Sequence, residues 1–104
     1  MPRGFESVVC GANGRVQPRR LLRELHRRGI KRLLLEGGPT LIGSFFDKEL
    51  VDQVVTFMVP KIAGGAGAPN PLAGRGVGAM EDARTLSHVV ERRVGNAIVV
   101  EGLL

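Results

Sequence analysis

Apolar residues along this chain follow two rhythms. Behind Pro18, Leu21, Leu22 and Leu25 recur at helical spacing, and behind Pro39 the same spacing returns through Leu41, Ile42, Phe45 and Phe46. Each stripe predicts a helix with one apolar face, and a proline suits the first helical position because its missing N–H would be unpaired there anyway. Gly29 stands just past the first stripe, where a left-handed C-terminal cap is common. The other rhythm is continuous. Residues 5–10, 30–35 and 51–59 read as strands, the second interrupted only by Lys31 and Arg32. Val54, Val55, Phe57 and Met58 make the third too apolar for a sheet with one wet face. Such strands alternating with helices predict parallel βαβ units whose sheet is covered on both faces.

The pattern changes after Pro60. Residues 62–80 hold six glycines together with Pro69 and Pro71, and they predict a long loop. In a small domain a loop of that length is usually functional or mobile. Two strands follow over residues 85–94 and 97–101, with Gly95-Asn96 between them as a two-residue hairpin signal. Gly11-Ala12-Asn13-Gly14 is also turn chemistry. The order is thus β-α-β-α-β, a loop, and an antiparallel hairpin.

At 104 residues the chain has room for one small domain. With four Phe and no Trp or Tyr, its core must come from Val, Leu and Ile. The net charge is +5 and the pI about 10.7. Most of that charge falls on or beside the first helix, as Arg19, Arg20, Arg23, Arg27, Arg28, Lys31 and Arg32. Without an aromatic platform nearby, a solvated helix face is favoured over a nucleic-acid surface. Cys10 is the single cysteine, so neither an intrachain disulfide nor a cysteine-based zinc site is expected. It reads as a small buried hydrophobe. The chain shows no apolar run of signal-peptide or membrane-span length, and a cytoplasmic, reducing location is expected.

The candidate chemistry concentrates where the second strand meets the second helix. Glu36-Gly37-Gly38-Pro39-Thr40 delivers one acid to the end of a strand beside a bare helix N-terminus. Glycines keep Cβ atoms out of a ligand's way, and the free amides and positive dipole end favour phosphate. Glu36 would then accept hydrogen bonds from sugar hydroxyls or ring N–H groups. The corner is not a P-loop, because Ser44-Phe45 follows Gly43 where Lys-Ser/Thr is required, nor does it carry GxGxxG. Gly74-Arg75-Gly76-Val77-Gly78 reads equally as a flap or a surface connection. Lys61 and Arg75 flank that loop and would suit a phosphate, though solvated charge is the commoner outcome. His26 reads as an exposed helix residue, and His88 lacks a partner at metal-ligand spacing, so no metal is expected.

These residues resemble a known family. Leu34-Leu35-Glu36-Gly37-Gly38-Pro39-Thr40-Leu41, Leu50-Val51-Asp52-Gln53-Val54 and Val59-Pro60-Lys61-Ile62-Ala63-Gly64-Gly65 together resemble the pyrimidine reductase domain of riboflavin biosynthesis, the C-terminal half of a bifunctional deaminase–reductase. Val8-Val9-Cys10, Gly14-Arg15-Val16, Leu21-Leu22 and Arg28-Gly29-Ile30 fit the segment before the corner. The resemblance implies a dihydrofolate-reductase-like α/β fold, with a mostly parallel sheet, helices on both faces and a C-terminal antiparallel hairpin. It implies NADPH as hydride donor and 5-amino-6-(5-phosphoribosylamino)uracil as substrate. Carried over by position, Glu36 resembles the substrate-binding acid, and Gly38, Pro39, Thr40, Leu41, Ile42, Gly43 and Ser44 resemble the cofactor-binding turn. No catalytic acid or base is assigned. The family's reductase domain extends upstream of Met1, so residues 1–104 are expected to be its C-terminal portion, poorly active alone and self-associating. Another reductase of the same fold, or a non-catalytic nucleotide-binding or assembly module, remains the alternative.

Overall fold

The computed structural model describes residues 4–104. A short hairpin opens it, with β1 (Gly11–Ala12) paired antiparallel to β2 (Arg15–Val16). Asn13 and Gly14 both take left-handed φ, +53° and +73°, as the two central residues of a I′ turn must. Gln17 N–H extends the ladder to the Cys10 carbonyl at 2.9 Å. Two helices follow, α1 (Pro18–Arg27) and α2 (Pro39–Asp47), each opened by its proline. The sheet is built from β3 (Gln53–Met58), β4 (Ser87–Val94) and β5 (Ala97–Leu103).

Both helices end in the same way. Gly29 N–H bonds the His26 carbonyl and Ile30 N–H the Leu25 carbonyl, at 2.9 and 3.0 Å. At the end of α2, Glu49 N–H bonds the Phe46 carbonyl and Leu50 N–H the Phe45 carbonyl, both at 3.0 Å. These are Schellman motifs, which need a left-handed residue just past the cap. Gly29 meets that need at φ +84°, whereas Glu49 meets it at +57° with a Cβ in place.

The sheet order is β3-β5-β4, antiparallel throughout. The predicted hairpin forms with Val94 opposite Ala97, and Gly95 alone takes a positive φ (+59°), as a II′ turn requires. Central β5 is the best-buried strand, with Val99 fully buried between Phe57 and Arg92. A Cβ on Gly102 would come within 2.8 Å of Leu86 Cβ, because the chain entering β4 crosses close over it. There β4 slips register between Ser87 and Val90, and His88 turns to φ +51°.

The parallel part of the expected sheet is not formed among the described residues. Residues 5–10 and 30–35 lie outside any strand. A parallel strand exists only through its neighbours, and neither segment pairs with a parallel strand among the described residues: Leu34 is 79% and Val9 86% exposed. Among the described residues the buried apolar ones include Cys10, Pro18, Phe45, Ala97 and Val99, while Phe57, Met58, Ile62 and Met80 stand in the open. The radius of gyration is 16.2 Å, against about 13 Å for a compact domain of this length. The accessible surface is 8981 Å², against roughly 5,700 Å² for a folded monomer of this size. Much apolar surface is therefore left to be covered. Among the described residues no helix is long and apolar enough to cross a membrane.

On α1 the leucine stripe is half-buried and the arginines face outward. Glu24 holds Arg27 at 2.6 Å and Arg28 at 2.9 Å, and Arg28 also reaches Glu6 at 2.9 Å. Two hydrogen bonds from Arg27, then one from Arg28, push the Glu24 carboxyl down to about 2. The same contact raises the Arg27 guanidinium.

Candidate functional site

The helix half of the corner forms where the sequence places it, but Glu36 reaches it from a segment outside any strand, not from the end of one. Glu36, Gly37 and Gly38 are exposed, Gly38 is the N-cap of α2, and no side chain caps the helix. The first intrahelical bond runs from Ile42 N–H to the Gly38 carbonyl at 3.1 Å. Thr40 and Leu41 N–H therefore precede the ladder, with no helical carbonyl to meet them. The first turn carries no acidic residue, so no carboxylate within the helix compensates its positive dipole end. A Cβ on Gly38 would meet no atom within 4 Å, while one on Gly37 would press Leu41 Cδ2 at 3.2 Å. Glu36 makes no hydrogen bond or ion pair among the described residues. The chemistry available is backbone donation to an anion, with one free carboxylate beside it.

The other predicted cofactor residues divide by role. Leu41 and Ile42 are half-buried. The Ser44 hydroxyl donates to the Leu41 carbonyl at 2.7 Å and so is used within the helix. Gly43 is buried, and its missing Cβ makes room for the Ala73 carbonyl and for Gly74 N, which a Cβ would meet at 2.8 Å. Arg75 and Gly76 N–H both donate to the Asp47 carboxylate, at 2.6 and 3.3 Å, and Ala73 N–H donates to the Pro39 carbonyl at 3.1 Å. The glycine-rich loop is thus fastened along α2. Sequence reasoning missed Asp47, although a signal was present. An acid in the last turn of a helix opposes the dipole and needs a reason to be there.

Lys61 and Arg75 are exposed and make no ion pair among the described residues. Two open depressions lie elsewhere, one between Glu6, Ser7, Arg27 and Arg28, the other around residues 8–16. The corner is a shelf, not a closed pocket.

The profile of the family described as the RibD C-terminal domain matches residues 2–100. The chain belongs to this family. Its relatives bear names from the same pathway. The chain is 41% identical over 96 residues to a 2,5-diamino-6-ribosylamino-4(3H)-pyrimidinone 5′-phosphate reductase of Methanothermobacter thermautotrophicus, covering 92% of this chain and 44% of that protein. A riboflavin biosynthesis protein RibD of Actinobacillus pleuropneumoniae is 34% identical over 101 residues, covering 96% of this chain and 27% of the relative. The chloroplastic riboflavin biosynthesis protein PYRR of Arabidopsis thaliana is 36% identical over 89 residues, 86% of this chain and 15% of that one. The chain spans less than half the length of each of these relatives. The reductase resemblance read from residues 34–65 thus leads to the RibD C-terminal domain family.

Proposed function

We propose that this chain is the C-terminal portion of a riboflavin-pathway reductase domain, and that its Gly37-Gly38-Pro39 corner binds the phosphates of NADPH. The observation that carries the reading is the uncapped start of α2, with open space over Gly38, in a chain 41% identical to a pyrimidinone phosphate reductase. Thr40 and Leu41 N–H and the dipole end supply the anion site. Gly38, Pro39 and Ile42 shape the turn, while Gly43 and Ser44 brace it from behind. Glu36, free at the lip, takes the substrate's hydroxyl or N–H groups. NADPH, when bound, supplies the hydride, and the protein's part is to position the donor and exclude water.

The substrate is a ribosylamino-pyrimidine phosphate whose sugar is reduced to a ribityl chain. Two ring forms compete, 5-amino-6-(5-phosphoribosylamino)uracil and its 2,5-diamino-pyrimidinone counterpart, and NADPH oxidation assayed with each separates them. In this reading the uncovered apolar surface belongs against further reductase-domain structure and a second copy of the protein. Residues 30–35 then join β3 in the parallel part of the sheet.

Gly38→Val tests the corner. The Cβ it adds meets no protein atom within 4 Å and blocks backbone approach, and far-ultraviolet dichroism checks that the fold persists. Calorimetric titration should show NADPH affinity at least about tenfold weaker, the loss of roughly one charge-assisted hydrogen bond. Equal titration curves for the variant and the parent would remove the corner from the cofactor site.

A further inference from the structure

Residues 73–76 lie as a strap along α2. At one end Ala73 N–H is bonded to the Pro39 carbonyl, and at the other Asp47 takes Arg75 and Gly76 N–H. Between them the strap backbone rests on Gly43. Gly74 has φ +94°, and a Cβ there would lie 2.5 Å from Asp47 Oδ2 and 3.1 Å from the Gly43 carbonyl. Every position of the strap is thus matched to a feature of the helix.

The first attachment decides where the rest of the loop goes. Because Ala73 is bonded to the first residue of α2, residues 62–72 leave the strap at the corner end of that helix. That stretch is unencumbered: Cβ atoms on Gly64, Gly65 and Gly67 would meet nothing within 4 Å, and Ile62 is 99% exposed. A fixed strap is therefore followed back to a free, glycine-rich stretch rooted beside an anion-binding shelf.

We propose that Asp47 is a positioning residue: it fixes the strap so that residues 62–72 close as a lid over the nucleotide held at Gly38. The inference rests on the corner being the nucleotide site, as proposed above. Asp47 touches no ligand and acts only through the amides of Arg75 and Gly76. Those two bonds also account for an acid at the unfavourable end of a helix.

Trypsin offers a direct test on the full chain, since Lys61, Arg75 and Arg84 bracket the lid and the strap. In a time course read by mass spectrometry, the bond after Arg75 should be cut about tenfold more slowly than the bond after Lys61, because it must be released first. Asp47→Ala and Gly74→Ala should each abolish that protection with unchanged far-ultraviolet dichroism, and Asp47→Glu, which keeps the carboxylate, should recover part of it. NADPH should slow cutting after Lys61 in the parent but not in the first two variants, whose NADPH affinity should fall about tenfold. Cutting after Arg75 as fast as after Lys61 in the parent would overturn the strap. Variants that keep the parent's NADPH affinity would overturn the positioning role. A parent that protects Arg75 yet binds no NADPH would overturn the nucleotide site, and the lid with it, while leaving the strap standing.

Discussion

Glu36, exposed, and Glu24, half-buried, show how differently two acids can be employed. Glu36 has no hydrogen-bond or ion-pair partner among the described residues, and the proposed reading gives its carboxylate to the substrate. In a polypeptide carrying the complete reductase domain, Glu36→Gln should raise the KM for the pyrimidine about tenfold, the worth of one charged hydrogen bond. NADPH affinity should hardly change, and a selective loss of it would reverse the assignment. Glu24 is committed to Arg27 and Arg28, which push its carboxyl down to about 2 from an ordinary 4.5. A depressed folded-state pKa contributes stability above the unfolded value, lost as pH falls through the folded one. Helical dichroism should therefore decline between pH 4.5 and 2, and Glu24→Gln should flatten that decline. At this scale the sequence revealed the corner but not what supports it. Gly37, Gly38 and Pro39 are read from neighbours in the chain, whereas Asp47 meets Arg75 only after the loop has returned.

The elements divide along the same line. Both helices and the β4–β5 hairpin were legible because proline starts, glycine caps, turn residues and apolar spacing are local signals, whereas residues 11–14 read as a turn and Gly11-Ala12 instead forms the strand β1. Residues 30–35 have the composition of a strand, but composition does not supply a neighbour, and the segment remains unpaired. The two Schellman caps show the remaining compromise. Gly29 adopts its left-handed φ freely, while Glu49 carries a Cβ into a region that costs an L-residue roughly 1–2 kcal/mol. Part of that is regained because glycine has more freedom to lose on folding, about 0.4–1 kcal/mol. Glu49→Gly should thus stabilise the protein by roughly 0.5–1 kcal/mol, visible as a rise in Tm. An unchanged or lowered Tm would mean that Glu49 makes a compensating interaction.

For the whole molecule the decisive quantity is uncovered apolar surface. Phe57 and Met58 are each 63% exposed on β3, an edge strand of the sheet. An apolar edge invites pairing with another chain. Light scattering on the purified protein should report self-association, reduced by Phe57→Lys; a monodisperse monomer would remove the idea. The sheet also implies an order of assembly. β4 and β5 are joined by two residues and can pair within about 1–10 μs, whereas β3 reaches β5 only across the entire glycine-rich loop. Loop closure grows slowly with length, about 0.6 kcal/mol per doubling. Insertions into residues 62–72 would therefore slow the docking of β3 while barely altering the folded state. The sheet therefore sets little limit on the length of this loop, and any constraint on residues 62–65, which carry part of the family resemblance, must come from what the loop covers.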